Sequence, residues 1–131
     1  MIMSILLTVF TAFSLSDSVS GTPKKKFVLV VRVPEAYDKA KAEAVYPQWE
    51  QAIAYWKAEE AYVESFAFPV PGTVLSGKDR TPKPGMVTQG GQKVVSIVIL
   101  LAENLDRATE LAKHCPVLDH GGTVEIRERP E

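Results

Sequence analysis

Two segments of the chain are apolar at nearly every position. They are residues 27–33, which Pro34 follows, and residues 93–101. Both are rich in β-branched residues, and a strand that is apolar on both faces is typical of the middle of a sheet. Arg32 is the one charged residue within the first segment. We therefore predict two central strands, the first of which carries a single cation.

An amphipathic helix is predicted after Pro47, because proline suits the first position of a helix. Its apolar stripe recurs at i, i+3, i+4 and i+7 and consists of Trp49, Ala52, Ile53 and Trp56. The preceding residues 35–45 are rich in Ala, Lys and Glu. We interpret them as either a loose helical turn or an exposed loop.

A second helix is predicted after Asn104, a good N-cap, and it should end at Pro116. The apolar stripe of this helix consists of Leu105, Ala108, Leu111, Ala112 and Cys115. A last strand is predicted at residues 123–127, with Val124 and Ile126 on one face and Glu125 and Arg127 on the other.

The middle of the chain is harder to assign. Residues 62–70 alternate in part and predict a strand, whereas residues 72–75 either continue that strand or form a short hairpin arm. Residues 76–91 contain four glycines and two prolines. We expect a loop there, long enough to be a lid or a dimer arm.

The order of these elements predicts an α+β fold, a ferredoxin-like β-α-β-β-α-β plait with an antiparallel sheet. Right-handed crossovers would place both helices on one face of the sheet. The other face then needs a cover, and a second copy of the chain would bury on the order of 1,000 Å² there. We therefore expect a homodimer, with the apolar N-terminal segment as the rival cover.

That N-terminal segment, residues 1–25, is treated as separate from the α+β domain of residues 26–131. Its apolar run at residues 5–15 has the length of a signal-peptide core and is too short to span a bilayer, so no transmembrane segment is predicted. A positively charged start is missing. Two interpretations stay open, a packing tail on a cytoplasmic protein or a weak signal for an exported one.

Charge and cysteine content narrow the classes of protein. The net charge is −1, whereas a nucleic-acid binder would carry a basic surplus, so no nucleic-acid partner is predicted. The chain has one cysteine, Cys115, and therefore cannot form an intramolecular disulfide.

Three pieces of the C-terminal part occur in an order and spacing shared with a known family. Residues 105–108 read Leu-Asp-Arg-Ala, residues 111–116 read Leu-Ala-Lys-His-Cys-Pro, and residues 121–127 read Gly-Gly-Thr-Val-Glu-Ile-Arg. Together with Tyr46 and Trp49, they make residues 27–129 resemble the YCII-related (DGPF-type) domain. The resemblance implies the same plait, joined in pairs as a dimeric α+β barrel.

The chain departs from that family at its functional positions. The Asp-Gly-Pro-Phe motif is absent, and residues 84–92 stand in its place without its charges. Trp49 lies where the small bacterial proteins of the family have a histidine that is implicated with an aspartate in acid–base chemistry. The resemblance therefore transfers no catalytic pair to this chain.

A cluster of His114, Cys115, Asp119 and His120 is the candidate for catalysis. Histidine titrates near neutral pH, so His114 or His120 with Asp119 could act as general acid and base. The alternative is a buried cysteine with two histidines that cap the end of a helix. The spacing matches no standard zinc pattern, and neither a metal nor a cofactor is predicted.

A second candidate site consists of Arg32, Glu125 and Arg127, with Trp49. Because the first and last strands of the plait are neighbours, Arg32 and Glu125 should face each other. They form either a cross-strand ion pair at the dimer seam or the polar floor of a ligand pocket. The aromatic residues Tyr46, Trp49, Trp56 and Phe66 would line such a pocket or simply fill the core.

Three functions remain open from the sequence. The first is a barrel that binds a small aromatic or carboxylate-bearing molecule, with or without catalysis. The second is a non-catalytic dimerisation or accessory module with a filled core. The third is an exported binding protein, which requires the N-terminal segment to be a signal.

Overall fold

The computed structural model describes residues 23–130 as an α+β unit. The strands are β1 (Lys25–Pro34), β2 (Tyr62–Ala67), β3 (Gly72–Ser76), β4 (Thr81–Gly85), β5 (Thr88–Gln89), β6 (Gln92–Ala102) and β7 (Thr123–Glu128). The helices are α1 (Lys39–Ala58) and α2 (Leu105–Ala112), and a 3-10 helix spans Pro116–His120. The interpretations of residues 1–20 as a signal or a packing tail lie outside the described residues.

The main sheet has the order β2-β6-β1-β7, and each neighbouring pair is antiparallel. The short β5 adds a fifth strand beside the start of β6. β1 and β6 are the two central strands, as their two-sided apolar sequences predict. Their long ladder is interrupted by one bulge, between Val31 and Arg32.

The core lies between this sheet and the two helices. Phe27, Leu29, Val31 and Val33 alternate along β1 and are each 1% exposed or less. They pack in one cluster with residues of both helices, which therefore lie on the same face of the sheet. The Trp56 Nε1–H of α1 donates a 2.8 Å hydrogen bond to the Leu111 carbonyl of α2. This bond satisfies the polar atom of a fully buried tryptophan and joins the helices.

The first helix begins earlier than its sequence pattern predicts. α1 begins at Lys39, and Pro47 lies inside it. The start is set by Asp38, whose Oδ1 accepts a 2.8 Å hydrogen bond from the Lys41 N–H. Most of the first half is exposed, with only Val45 buried before the proline. The prediction of a start at Pro47 was wrong because an exposed Ala- and Lys-rich segment needs a cap and helix propensity but no apolar stripe.

The prediction of a loop at residues 76–91 was also wrong in part. β3 and β4 form a two-stranded hairpin, so the alternative of a hairpin arm at residues 72–75 is confirmed. The turn between them contains two residues of positive φ, Gly77 at 75° and Arg80 at 55°. β2 ends at Ala67, before two prolines that cannot donate ladder hydrogen bonds.

The C-terminal elements follow their sequence pattern except at the end of the second helix. α2 ends at Ala112 and not at Pro116, so Cys115 lies outside it, and Pro116 instead begins the 3-10 helix. Asn104 caps α2 through a 2.8 Å hydrogen bond from the Arg107 N–H. Leu105 is 53% exposed, so it does not belong to the buried stripe of the helix. Gly122 leads into β7, and a Cβ there would lie 2.5 Å from the Arg32 carbonyl oxygen and 2.7 Å from the Val117 Cβ. The glycine therefore allows a backbone approach that no other residue fits.

Candidate functional site

The charged candidates lie on the face of the sheet that faces away from the helices. We call this the open face, and its apolar centre consists of Val28 and Val30 of β1 with Ile97 and Ile99 of β6. These side chains alternate with the fully buried ones of the same strands. They are partly exposed in the single chain.

Arg32 and Glu125 form the predicted ion pair at one side of the open face. Glu125 lies opposite Val30 in the ladder, and the Arg32 Nη1 reaches its Oε1 diagonally at 2.8 Å. Arg127 lies 3.4 Å from the other carboxylate oxygen. The hydrogen bond from Arg32 lowers the pKa of Glu125 below its ordinary value. Because the two side chains are 25% and 43% exposed, water and salt screen most of their attraction.

Trp49 lies on the other side of the sheet. It belongs to α1, where it packs against the core and meets Trp56 edge to face at 6.4 Å between ring centroids. The sheet therefore separates Trp49 from Arg32, Glu125 and Arg127. The single pocket that the sequence predicted from these four residues does not form within this chain.

A cavity of about 520 Å³ is present beside Trp49 instead. We call it the α1 cavity. One wall is a single stripe of α1, made of Ala42, Tyr46, Trp49 and Ile53. The opposite wall is formed by residues 66–71 and Met86, and the floor by residues 93–96 of β6. Of the four aromatic residues predicted to line a pocket or fill the core, Tyr46, Trp49 and Phe66 line the α1 cavity. Trp56 is buried in the core.

The polar groups of the α1 cavity are few, and most are already engaged. Ser65 Oγ lies 2.7 Å from the Tyr62 hydroxyl, and Ser96 Oγ donates a 2.9 Å bond to the Phe66 carbonyl. Asp38 is engaged as the helix cap. Tyr37 and Lys93 are the partly buried polar groups that remain. Burial raises the pKa of Tyr37 above its ordinary value, so its phenol stays protonated at neutral pH.

The structure keeps the two predicted histidines apart, whereas Asp119 adjoins His120 in the chain. The His114 ring stacks on Tyr55, with 3.7 Å between centroids. The His120 Nε2 lies 3.1 Å from the Gln48 Oε1. Gln48 and Tyr55 are separated by about 10 Å along the axis of α1. Asp119 is exposed, and none of the three lines the α1 cavity.

Cys115 is buried at the end of the core, and burial raises its pKa to about 12. It therefore stays a thiol at neutral pH and is not a nucleophile. Within residues 23–130, no group of three His, Cys, Asp or Glu side chains is arranged to hold a metal ion. None of the helices in that range is long and apolar enough to cross a membrane.

Sequence reasoning did not identify Tyr37 or Lys93 as site residues. Tyr37 lies in the short connection between β1 and α1, and Lys93 is the first charge before a long apolar run. The position of Lys93 could have indicated a site residue, because a cation at the start of a central strand lies at the end of the sheet, beside the connecting segments. Tyr37 carries no such signal, because a connection has no periodicity.

No known protein-family model matches the sequence, and no curated protein matches it significantly.

Proposed function

We propose that this domain binds a small, largely apolar molecule in the α1 cavity. The observation that carries the proposal is the cavity itself. Its volume of about 520 Å³ falls within the range of ligand sites, roughly 300–1,000 Å³. Its walls are aromatic and aliphatic, with a few polar groups at one end. That combination is typical of a binding pocket. The α1 cavity is a cleft open to solvent, since Tyr46 and Val70 in its walls are 61% and 72% exposed.

We propose binding without a catalytic step. Histidine and cysteine are absent from the walls of the α1 cavity in the described part of the chain. The resemblance to the YCII-related family likewise transfers no acid–base pair, because Trp49 stands in place of the histidine.

We extend the proposal to the architecture, a ferredoxin-like plait of the YCII-related type that pairs as a dimeric α+β barrel. The order β2-β6-β1-β7 supports it, as does the position of both helices on one face. The open face also supports it, because its centre is apolar and is only partly covered by residues 23–130. Two such faces stacked on each other would remove on the order of 1,000 Å², the lower bound for a stable interface.

A second candidate function is a non-catalytic dimerisation or accessory module. The observation that favours it is the same open face, which would then be the functional surface. In that case the α1 cavity is a packing defect and takes no ligand. The two candidates therefore differ in what happens inside the cavity.

The experiment that tests ligand binding is a thermal-shift screen with small aromatic and aliphatic acids, alcohols, phenols and lactones. A ligand at about 100 times its Kd stabilises the native state by about 2.7 kcal/mol. Each hit is repeated on Ala42→Trp, which places a large ring in the cavity wall. The matched control is Ala54→Trp, an exposed alanine of α1 that does not line the cavity.

We expect hits that Ala42→Trp abolishes and Ala54→Trp leaves unchanged. An absence of hits, or hits that Ala42→Trp does not weaken, contradicts binding in the α1 cavity and favours the second candidate. Solution mass tests the architecture in parallel. A monomer at micromolar concentration contradicts the dimeric barrel.

A further inference from the structure

We infer that the ligand of the α1 cavity is a monoanion with a hydrocarbon body. Lys93 would hold its carboxylate or a similar anionic group, and the Tyr37 hydroxyl would donate a hydrogen bond to it. This inference rests on the proposed binding function and deepens it. It assigns Lys93 and Tyr37 as the residues that select the charge of the ligand.

The sheet register places Lys93 on the cavity side. Lys93 lies opposite Val33 of β1, and Val33 is fully buried beneath the helices. Residues directly opposite each other in a ladder project from the same face of the sheet. The Lys93 side chain therefore leaves the sheet toward α1 and the cavity, and not toward the open face.

Tyr37 lies at the same end of the cavity as Lys93. The Tyr37 N–H donates a 2.9 Å hydrogen bond to the Pro34 carbonyl. Pro34 in turn lies opposite Gln92, the residue before Lys93. The two residues thus enter the cavity wall from neighbouring backbone segments, and both line the cavity.

The partly buried charge at the cavity is a cation, which favours an anionic ligand. Three charged residues line the cavity, Asp38, Lys39 and Lys93. Lys39 is 91% exposed and lies 3.9 Å from Glu43, and Asp38 is also exposed, with its Oδ1 engaged as the cap of α1, so water screens both charges. Lys93 is partly buried and has no carboxylate within 4.0 Å in residues 23–130. A cation that is partly withdrawn from water and lacks a counter-ion is stabilised by a bound anion.

Tyr37 adds a neutral donor to this end of the cavity. Its hydroxyl makes no side-chain hydrogen bond to any other described residue. Tyr37 is partly exposed and lines the cavity. A protonated phenol that is open to the cavity can donate to a carboxylate oxygen.

The rest of the cavity suits a hydrocarbon body. The wall opposite α1 includes Phe68, Val70 and Met86, with Pro69 and Pro71 between them. Aromatic and flexible thioether side chains accommodate flat or branched apolar groups. The expected ligand therefore has one charged end and an aromatic or branched remainder.

The test compares matched acids and alcohols by isothermal titration calorimetry. The pairs are benzoate and benzyl alcohol, 2-naphthoate and 2-naphthylmethanol, and octanoate and octanol. The variants are Lys93→Met, Lys93→Arg and Tyr37→Phe. Lys83→Met is the control, since this exposed lysine of β4 does not line the cavity.

For at least one pair, we expect the wild type to bind the acid about tenfold more tightly than the alcohol, a difference of about 1.4 kcal/mol. Lys93→Met should remove that preference by weakening the binding of the acid to about the affinity of the alcohol. Lys93→Arg should retain the preference, and Tyr37→Phe should reduce it several-fold. Lys83→Met should behave as wild type.

The possible failures are distinguishable. Equal affinity for acid and alcohol, or an acid preference that survives Lys93→Met, overturns the assignment of Lys93 and leaves binding in the cavity intact. Failure of every acid and every alcohol to bind overturns the proposed function together with this inference. Retained binding of the alcohol by Lys93→Met also shows that the variant is folded.

Discussion

The two faces of the main sheet differ although they share the same strands. On the helix side, alternate residues of β1 are sealed from water, and Trp56 hydrogen-bonds across the core. On the open face, their immediate neighbours are partly exposed and lie beside the Arg32–Glu125 ion pair. The helices therefore seal one face, whereas the other stays partly exposed in residues 23–130. The α1 cavity lies on the sealed side, near the exposed first half of α1.

The largest expected effect concerns the sealed face. Trp56→Ala should reduce the free energy of unfolding by about 3–5 kcal/mol, because it leaves a cavity in the core and removes the buried hydrogen bond between the two helices. Trp49→Ala, at the cavity wall, should cause less than half of that loss. Urea denaturation of both variants checks the prediction. Equal losses would show that the α1 cavity is packed as tightly as the core.

The next effect concerns the close contact where the chain enters β7. Gly122→Ala should destabilise the fold by about 2–3 kcal/mol, because the new Cβ meets the Arg32 carbonyl and Val117. The control is Gly72→Ala, where a Cβ meets nothing within 4 Å. It should change stability by less than about 0.5 kcal/mol. Similar midpoints for the two variants in thermal denaturation would contradict the close approach.

A matched pair of substitutions compares the two faces directly. Val31→Thr places a hydroxyl in the sealed core and should cost about 1–3 kcal/mol. Val30→Thr, one residue away on the open face, should cost much less in a monomer. In a homodimer its cost should rise toward that of Val31→Thr and depend on protein concentration. Denaturation at two concentrations separates these outcomes, and equal costs without a concentration dependence would argue against the difference between the faces.

The smallest effect is expected at the ion pair. The pKa of Glu125 is lowered in the folded state, so its stabilisation is complete above the ordinary value of 4.5 and is lost as pH falls through the folded value. Glu125→Gln should therefore leave stability near that of wild type at pH 7 in high salt. It should also flatten slightly the acid limb of the stability profile. A large loss at pH 7 would mean that the pair is buried against a partner.

The sequence supported the prediction of the central strands, the second helix and the last strand because each is determined locally. A run of β-branched residues, an N-cap such as Asn104 and a Gly-Gly turn act over a few neighbouring positions. The start of α1 and the strand β4 were missed, because exposed segments have little apolar periodicity. The pairing of Arg32 with Glu125 followed from strand adjacency alone.

The sequence by itself therefore determined the two central strands, the second helix and the last strand, and which of their faces are apolar. Only the tertiary structure decided which side chains meet. It placed Trp49 and Arg32 on opposite sides of the sheet, kept His114 apart from His120, and brought Tyr37 and Lys93 to one end of a cavity. The physical reason is that a cavity forms between surfaces from distant segments, and its volume depends on their packing rather than on any local pattern.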